Sequence, residues 1–209
     1  MKVFKNRQQA GEALAQQLLA HKFEHEVIVL GLARGGIPVA APIAQTLNTS
    51  LDAFLVRKIG MPLNPELALG AVAQGDVIVW NDNLMPYAHL TENEISERVK
   101  AQQYVINDYN QRYRQGRPKP EIADKTVIIV DDGLATGATM RAAISALKVQ
   151  QPASIIVAVP VGAPDIIADI ARMVDDCICL LQPEDLGSVG AWYQDFEQVS
   201  DAQVTALLT

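Results

Sequence analysis

Apolar and polar positions along the chain alternate between two periods. Residues 7–21 place Ala10, Leu14, Leu18 and Leu19 on one side of a helix. Then "EVIVLGL", 26–32, is a short β-branched run with no polar alternation, the pattern of a strand buried on both faces. The sequence continues this way: a helix over about 37–47, a strand at 52–58, a brief strand at 77–80, and a long helix from about 91 to 113. That helix opens on "TENE", a capping box of Thr91 and Glu94, and its apolar stripe runs through Ile95, Val99, Ile106 and Tyr109 or Tyr113. Strand 126–130, helix 137–149, strand 154–161, helix 164–173 and strand 177–181 follow, and a short helix ends the chain.

Strands alternating with helices predict an α/β sheet, mostly parallel, with helices on both faces. Right-handed crossovers then bring the loops after strands 26–32 and 126–130 to one edge, where ligands of such folds bind. Residues 59–76 are rich in Gly and Pro and read as mobile or irregular; "RQGRPKP", 114–120, reads as a linker. Two regions are expected: a core over 1–181, with a flexible loop near 59–76, and a C-terminal piece over 182–209.

Composition narrows the partners. With 209 residues, 49% of them hydrophobic, the chain can bury a sizeable core. A net charge of -7 argues against a nucleic acid or an anionic membrane as a general partner. No apolar run is long enough to span a bilayer and the first residues lack an apolar signal core, so a cytoplasmic protein is expected. Cys177 and Cys179 read as small core residues on one strand face, and the three histidines as solvated surface.

The chemistry concentrates in "VIIVDDGLATGATM", 127–140. Asp131 and Asp132 repel each other at the end of a buried strand, and burial of either is costly unless something pairs with it. Beyond them, Ala135, Thr136, Gly137, Ala138 and Thr139 form a loop of small and hydroxylic residues ahead of a helix, whose free amides and dipole favour an anion. The spacing is neither that of a Walker A loop nor of a dinucleotide fingerprint. A phosphate in the loop, with sugar hydroxyls and a divalent cation for the aspartates, accounts for both features. "ARGG", Ala33, Arg34, Gly35 and Gly36, is a second strand-to-helix turn, where the glycines let amides approach an anion and Arg34 supplies charge.

"VIIVDDGLATGAT" resembles the phosphoribosyl pyrophosphate signature of type I phosphoribosyltransferases, in the version of the adenine enzymes. The resemblance implies a three-layer α/β/α fold with a six-stranded sheet of order 3-2-1-4-5-6, its third strand, here 77–80, antiparallel, and a small C-terminal hood. It also implies a pyrophosphate loop at 33–36, neutralisation of pyrophosphate by Arg57 and Lys58, a loop at 59–76 closing over the ligand, Mg²⁺ and a homodimer. Asp131, Asp132, Arg34 and Lys58 would carry catalysis. Glu66 lies where it could contact a nucleophile, but a plain solvated carboxylate is the stronger reading. "SVGAWYQDFEQVSD", 188–201, is similar to the hood of 6-oxopurine phosphoribosyltransferases. That match gives Asp195 a magnesium through water and Trp192 or Tyr193 a base to stack on; the residues alone read equally as aromatics docking the tail.

Two departures leave the acceptor open. The third acid of the 6-oxopurine loop is Ala135 here, and "PVGAP" lacks the lysine that reads a purine oxygen. The expected activity is transfer of 5-phosphoribosyl from phosphoribosyl pyrophosphate to a nitrogen acceptor, a nucleobase. A non-catalytic regulator that binds the same donor, and a hydrolase or phosphorylase of a phosphoribosyl compound, are the alternatives.

Overall fold

Why the strand runs are apolar at every position is clear from what covers them. The computed structural model describes residues 3–62, 64 and 67–209. Five strands, β1 (Val27–Leu32), β2 (Ser50–Phe54), β6 (Thr126–Val130), β7 (Ser154–Val161) and β8 (Asp176–Leu181), form a parallel sheet of order β2-β1-β6-β7-β8. Side chains alternate across it. Ile28, Leu30, Val127, Ile129, Ile155 and Val157 meet Met140, Ile144 and Leu147 of α4 (Ala138–Val149) on one face. Val29, Ile128, Val130 and Ile156 meet Leu14 and Leu18 of α1 (Arg7–Leu18), and Val39 and Ile43 of α2 (Gly36–Leu47), on the other. With helices on both faces, the sheet is the centre of a three-layer α/β/α sandwich. Leu19 departs from its expected stripe: α1 ends at Leu18, and Leu19 is exposed.

A second sheet corrects the expected topology. The run 52–58 is two strands, broken at Leu55, and 77–80 is not in the main sheet. β3 (Val56–Gly60), β4 (Ala68–Ala73) and β5 (Val77–Trp80) form an antiparallel sheet of order β3-β4-β5. At the break, buried Gln74 takes the Leu55 amide on Oε1 at 3.4 Å and gives its own amide to the Leu55 carbonyl at 2.9 Å. β4 lies inside the segment expected to be irregular. Its alanines carry little β-propensity, but it is buried between its neighbours, and Gly70 makes room for the Trp80 ring, whose Cε3 lies 2.6 Å from where a Cβ would stand.

Two helices frame the remaining side. α3 (Glu92–Arg114) carries the expected capping box and buries Val99, Ile106 and Tyr113 against Val204 and Leu208 of α6 (Asp201–Leu208). The basic cluster read as a linker is instead structural. Arg114 Nη1 donates to Asp52 Oδ2 at 2.6 Å, its Nη2 donates to Gln74 at 3.3 Å, and Arg117 donates to the Leu208 carbonyl. α5 (Pro164–Ala171) follows β7. Cys177 and Cys179 are free thiols packed on the core, and burial pushes them up to about 11 and about 12. No helix among the described residues is long and apolar enough to cross a membrane.

Candidate active site at the strand ends

β1 and β6 are neighbours in register, Gly31 beside Val130, so the turns that follow them leave the sheet side by side. Beyond β6, Asp131 Oδ1 accepts the Asp132 amide at 2.9 Å. The loop is then pinned to the end of β7: the Leu134 amide donates to the Val161 carbonyl at 2.9 Å, and the Ala163 amide to the Leu134 carbonyl at 3.0 Å. Gly137, at φ 68°, turns the chain into α4 without a side-chain cap. The first amides of α4 therefore have no capping oxygen and remain available to an anion. Thr136 and Ala138 border a cavity of about 730 Å³ that also reaches Arg141. Arg141 braces the loop, its Nη2 donating to the Thr136 carbonyl at 2.6 Å. Its Nη1 is buried with no hydrogen-bond partner among the described residues.

The glycines of the β1–α2 turn have a reason beyond anion approach. A Cβ on Gly35 would stand 2.1 Å from Asp132 Oδ2, and one on Gly36 2.3 Å from the Val130 carbonyl oxygen. The two turns are thus pressed together. The Ala33–Arg34 peptide is cis. Arg34 lies 3.5 Å from Asp201 Oδ1 and shares a cavity of about 300 Å³ with Ala33 and Arg57. Asp201 also accepts from the Tyr113 hydroxyl at 2.7 Å, and that bond, with Arg34 and Arg112 nearby, holds its carboxyl below the usual range.

A cavity of about 460 Å³ gathers the cations of the site. Arg57 and Lys58 from β3, Thr139 from the first turn of α4 and Arg98 from α3 all line it. Arg98 is missing from the sequence reading, because a lone arginine on the polar side of an amphipathic helix carries no local signal. Arg141 was missed for the same reason. Glu66 lies outside the described residues.

Burial pushes the Asp131 carboxyl well above the ordinary carboxylate range, and the neighbouring Asp132 charge adds to the shift. Asp132 is raised as well, by burial, but an arginine opposes the shift. That arginine is Arg7, in the first turn of α1: its Nε and Nη2 both lie 2.8 Å from Asp132 Oδ2. Tyr193 completes the enclosure, its hydroxyl donating to the Asp132 backbone carbonyl at 2.6 Å.

The tail's aromatics point inward. Trp192 is 7% exposed, donates from Nε1 to the Leu186 carbonyl at 3.0 Å, and packs with Ala10, Val161 and Tyr193. Of the two readings open from the sequence, tertiary docking describes Trp192, and its ring offers no free face to a base. Asp195 is exposed, and its Oδ1 accepts the Glu197 amide at 3.3 Å. Among the described residues no three His, Cys, Asp or Glu side chains gather as a metal cluster.

Comparison with known proteins agrees with this geometry. A Mycobacterium tuberculosis protein provisionally named a phosphoribosyl transferase (Rv0571c) is 39% identical over 208 residues, all of this chain but 47% of that protein. The chain thus spans about half the length of the curated relatives it matches. The crystal structure of TT1426 from Thermus thermophilus superposes with a TM-score of 0.89 at 39% identity, covering 99% of this chain and 97% of that one. A purine phosphoribosyltransferase from Pyrococcus horikoshii shares the fold, with a TM-score of 0.50 at 18% identity over 93% of this chain and 92% of that one. Residues 3–190 match the phosphoribosyl transferase domain, and the chain belongs to that family.

Proposed function

We propose that the chain transfers a 5-phosphoribosyl group from phosphoribosyl pyrophosphate to a nitrogen acceptor of the nucleobase class and releases pyrophosphate. The observation that carries this reading is the contact of the two strand-end turns, which sets a half-buried pair of carboxylates between an uncapped helix start and a cavity lined by Arg57, Lys58 and Arg98. The terminal phosphate sits on the amides of 135–139, the ribose hydroxyls on Asp131 and Asp132, and the pyrophosphate among the basic side chains and the turn at 33–36.

The residues present fit a magnesium ion that takes most of its ligands from the donor itself. The chain offers a carboxylate pair and no larger acidic cluster among the described residues. When bound, the ion would neutralise part of the pyrophosphate charge and orient its oxygens. Asp195 is the outlying carboxylate assigned to a second ion through water. The protein's own work is placement and charge. Cations of the pocket stabilise the leaving group, and the paired aspartates offset the positive charge that grows on the sugar ring. The reading extends to an Mg²⁺-dependent homodimer in the cytoplasm, with a core over 1–181 and a hood over 182–209.

Pyrophosphate release measured across a panel of nucleobases tests the reading. Release that depends on one base supports transfer. Release without any base points to hydrolysis, and donor binding without release to a regulator. Arg98→Gln adds a residue-level check. It should weaken binding of inorganic pyrophosphate about tenfold, the scale of one charge-assisted hydrogen bond, while ribose 5-phosphate affinity stays unchanged. Calorimetry with each ligand reads the difference, and equal affinities for pyrophosphate would remove Arg98 from the site.

A further inference from the structure

Arg7 is too well held to be an ordinary surface arginine. Two of its nitrogens, Nε and Nη2, meet the same oxygen of Asp132, each at 2.8 Å. Its third, Nη1, donates to the Glu197 carbonyl at 2.8 Å, and its guanidinium carbon lies 3.8 Å above the Phe196 ring. The side chains of Arg7 and Asp132 are only 12% and 17% exposed. Arg7 thereby joins three distant segments: the start of α1, the tail and the loop after β6. Asp132 is confined further by Gly35, which leaves no room beside Oδ2. Its other oxygen, Oδ1, is engaged by none of these groups.

We propose that Arg7 is a positioning residue for the donor's sugar: it clamps Oδ2 of Asp132 so that Oδ1 stays oriented and open to a ribose hydroxyl. This deepens the transfer reading and rests on it. The physical need is plain. Asp132 is hemmed in by Gly35 and sits beside the like-charged Asp131, so without a fixed partner its carboxylate would rotate toward water. Two guanidinium nitrogens converging on Oδ2, themselves fixed by Glu197 and Phe196, hold that oxygen in one place, which a flexible ammonium does not. The clamp's other anchors, Glu197 and Phe196, belong to the tail. Seating of the tail therefore sets the affinity of a sugar site to which the tail also contributes the Tyr193 bond to the Asp132 backbone.

A purely structural staple would weaken all ligands and the fold together; a positioning residue separates them. Arg7→Gln, Arg7→Lys and the wild-type chain are titrated calorimetrically, with magnesium, against ribose 5-phosphate and against inorganic pyrophosphate, and melted in parallel. Arg7→Gln is expected to bind ribose 5-phosphate about tenfold to a hundredfold more weakly, as for loss of a charge-assisted contact, and pyrophosphate within about twofold of wild type. Arg7→Lys, with charge but no fork, should fall between. Phe196→Leu, which removes only the ring beneath the guanidinium, should weaken ribose 5-phosphate in the same direction and carries the test if Arg7→Gln does not fold. Unchanged ribose 5-phosphate affinity in these variants, or equal losses for both ligands in step with the melting temperature, overturns the role of Arg7. Failure of the wild-type chain to bind either ligand overturns the transfer reading itself, so the two failures are told apart.

Discussion

Asp131→Asn is expected to cut phosphoribosyl transfer by about a hundredfold to a thousandfold, the scale of one lost transition-state contact in a dry site, while raising the melting temperature. The opposite signs follow from the position of the carboxyl. Its Oδ1 accepts the Asp132 amide, and an asparagine keeps that bond. What the amide removes is a charge that burial and the neighbouring Asp132 both disfavour. Relief of about 1 kcal/mol corresponds to about 2–4 °C in a domain of this size. The pH dependence fixes the sign. The carboxyl of the folded chain titrates above its unfolded value, so its contribution to stability is full below the unfolded value and is lost as pH rises through the raised one. The melting-temperature gap between variant and wild type should therefore close in acid and widen toward neutral pH. Asp132→Asn should behave differently: it also loses activity, but it strips the Arg7 guanidinium of its carboxylate and lowers the melting temperature. Melts and turnover of both variants across pH decide the matter. If Asp131→Asn melts below wild type at neutral pH, the carboxyl is a satisfied structural group and its place in the sugar site falls.

The second large effect is expected at Gly35→Ala, which should weaken donor binding by at least about a hundredfold with only modest unfolding. The backbone there, φ -63° and ψ -32°, is ordinary for alanine, so torsional strain plays no part. The cost is a collision: the new methyl would lie 2.1 Å from Asp132 Oδ2 and 2.7 Å from its Cγ. Either Asp132 leaves Arg7 or the β1–α2 turn recedes, and displacements near 1 Å in such a site are worth about a hundredfold. Overpacking of this kind costs about 1–3 kcal/mol. A second substitution separates collision from general damage. In an Asp132→Ala background the obstructing carboxylate is gone, so Gly35→Ala should then cost almost nothing in stability, a non-additivity that only direct contact produces. Equal stability losses in both backgrounds would show that the two turns do not touch as described.

The β-branched runs, the capping box and the small-residue loop at 135–139 were legible in the sequence because each is local. A strand such as "TVIIV" must be covered on both faces whatever covers it, and a run of small residues ahead of a helix leaves amides open whatever lies near. So the parallel sheet, its helices and the pairing of the two strand-end turns could be read directly. The break at Leu55 could not, because it depends on a buried glutamine nineteen residues on. Nor could β4, whose alanines and single glycine owe their extended form to the Trp80 ring and neighbouring strands. Arg7 and Arg98 look like solvated helix residues in one dimension. Arg7 meets Asp132 from 125 positions away, and Arg98 lines the same cavity as Lys58 only once α3 is laid across β3. The chain order alone thus determined where the paired carboxylates and the uncapped helix start would stand. Tertiary packing decided which cations neutralise them, because charge pairing in a low-dielectric site depends on distance in space and leaves no periodicity in the sequence.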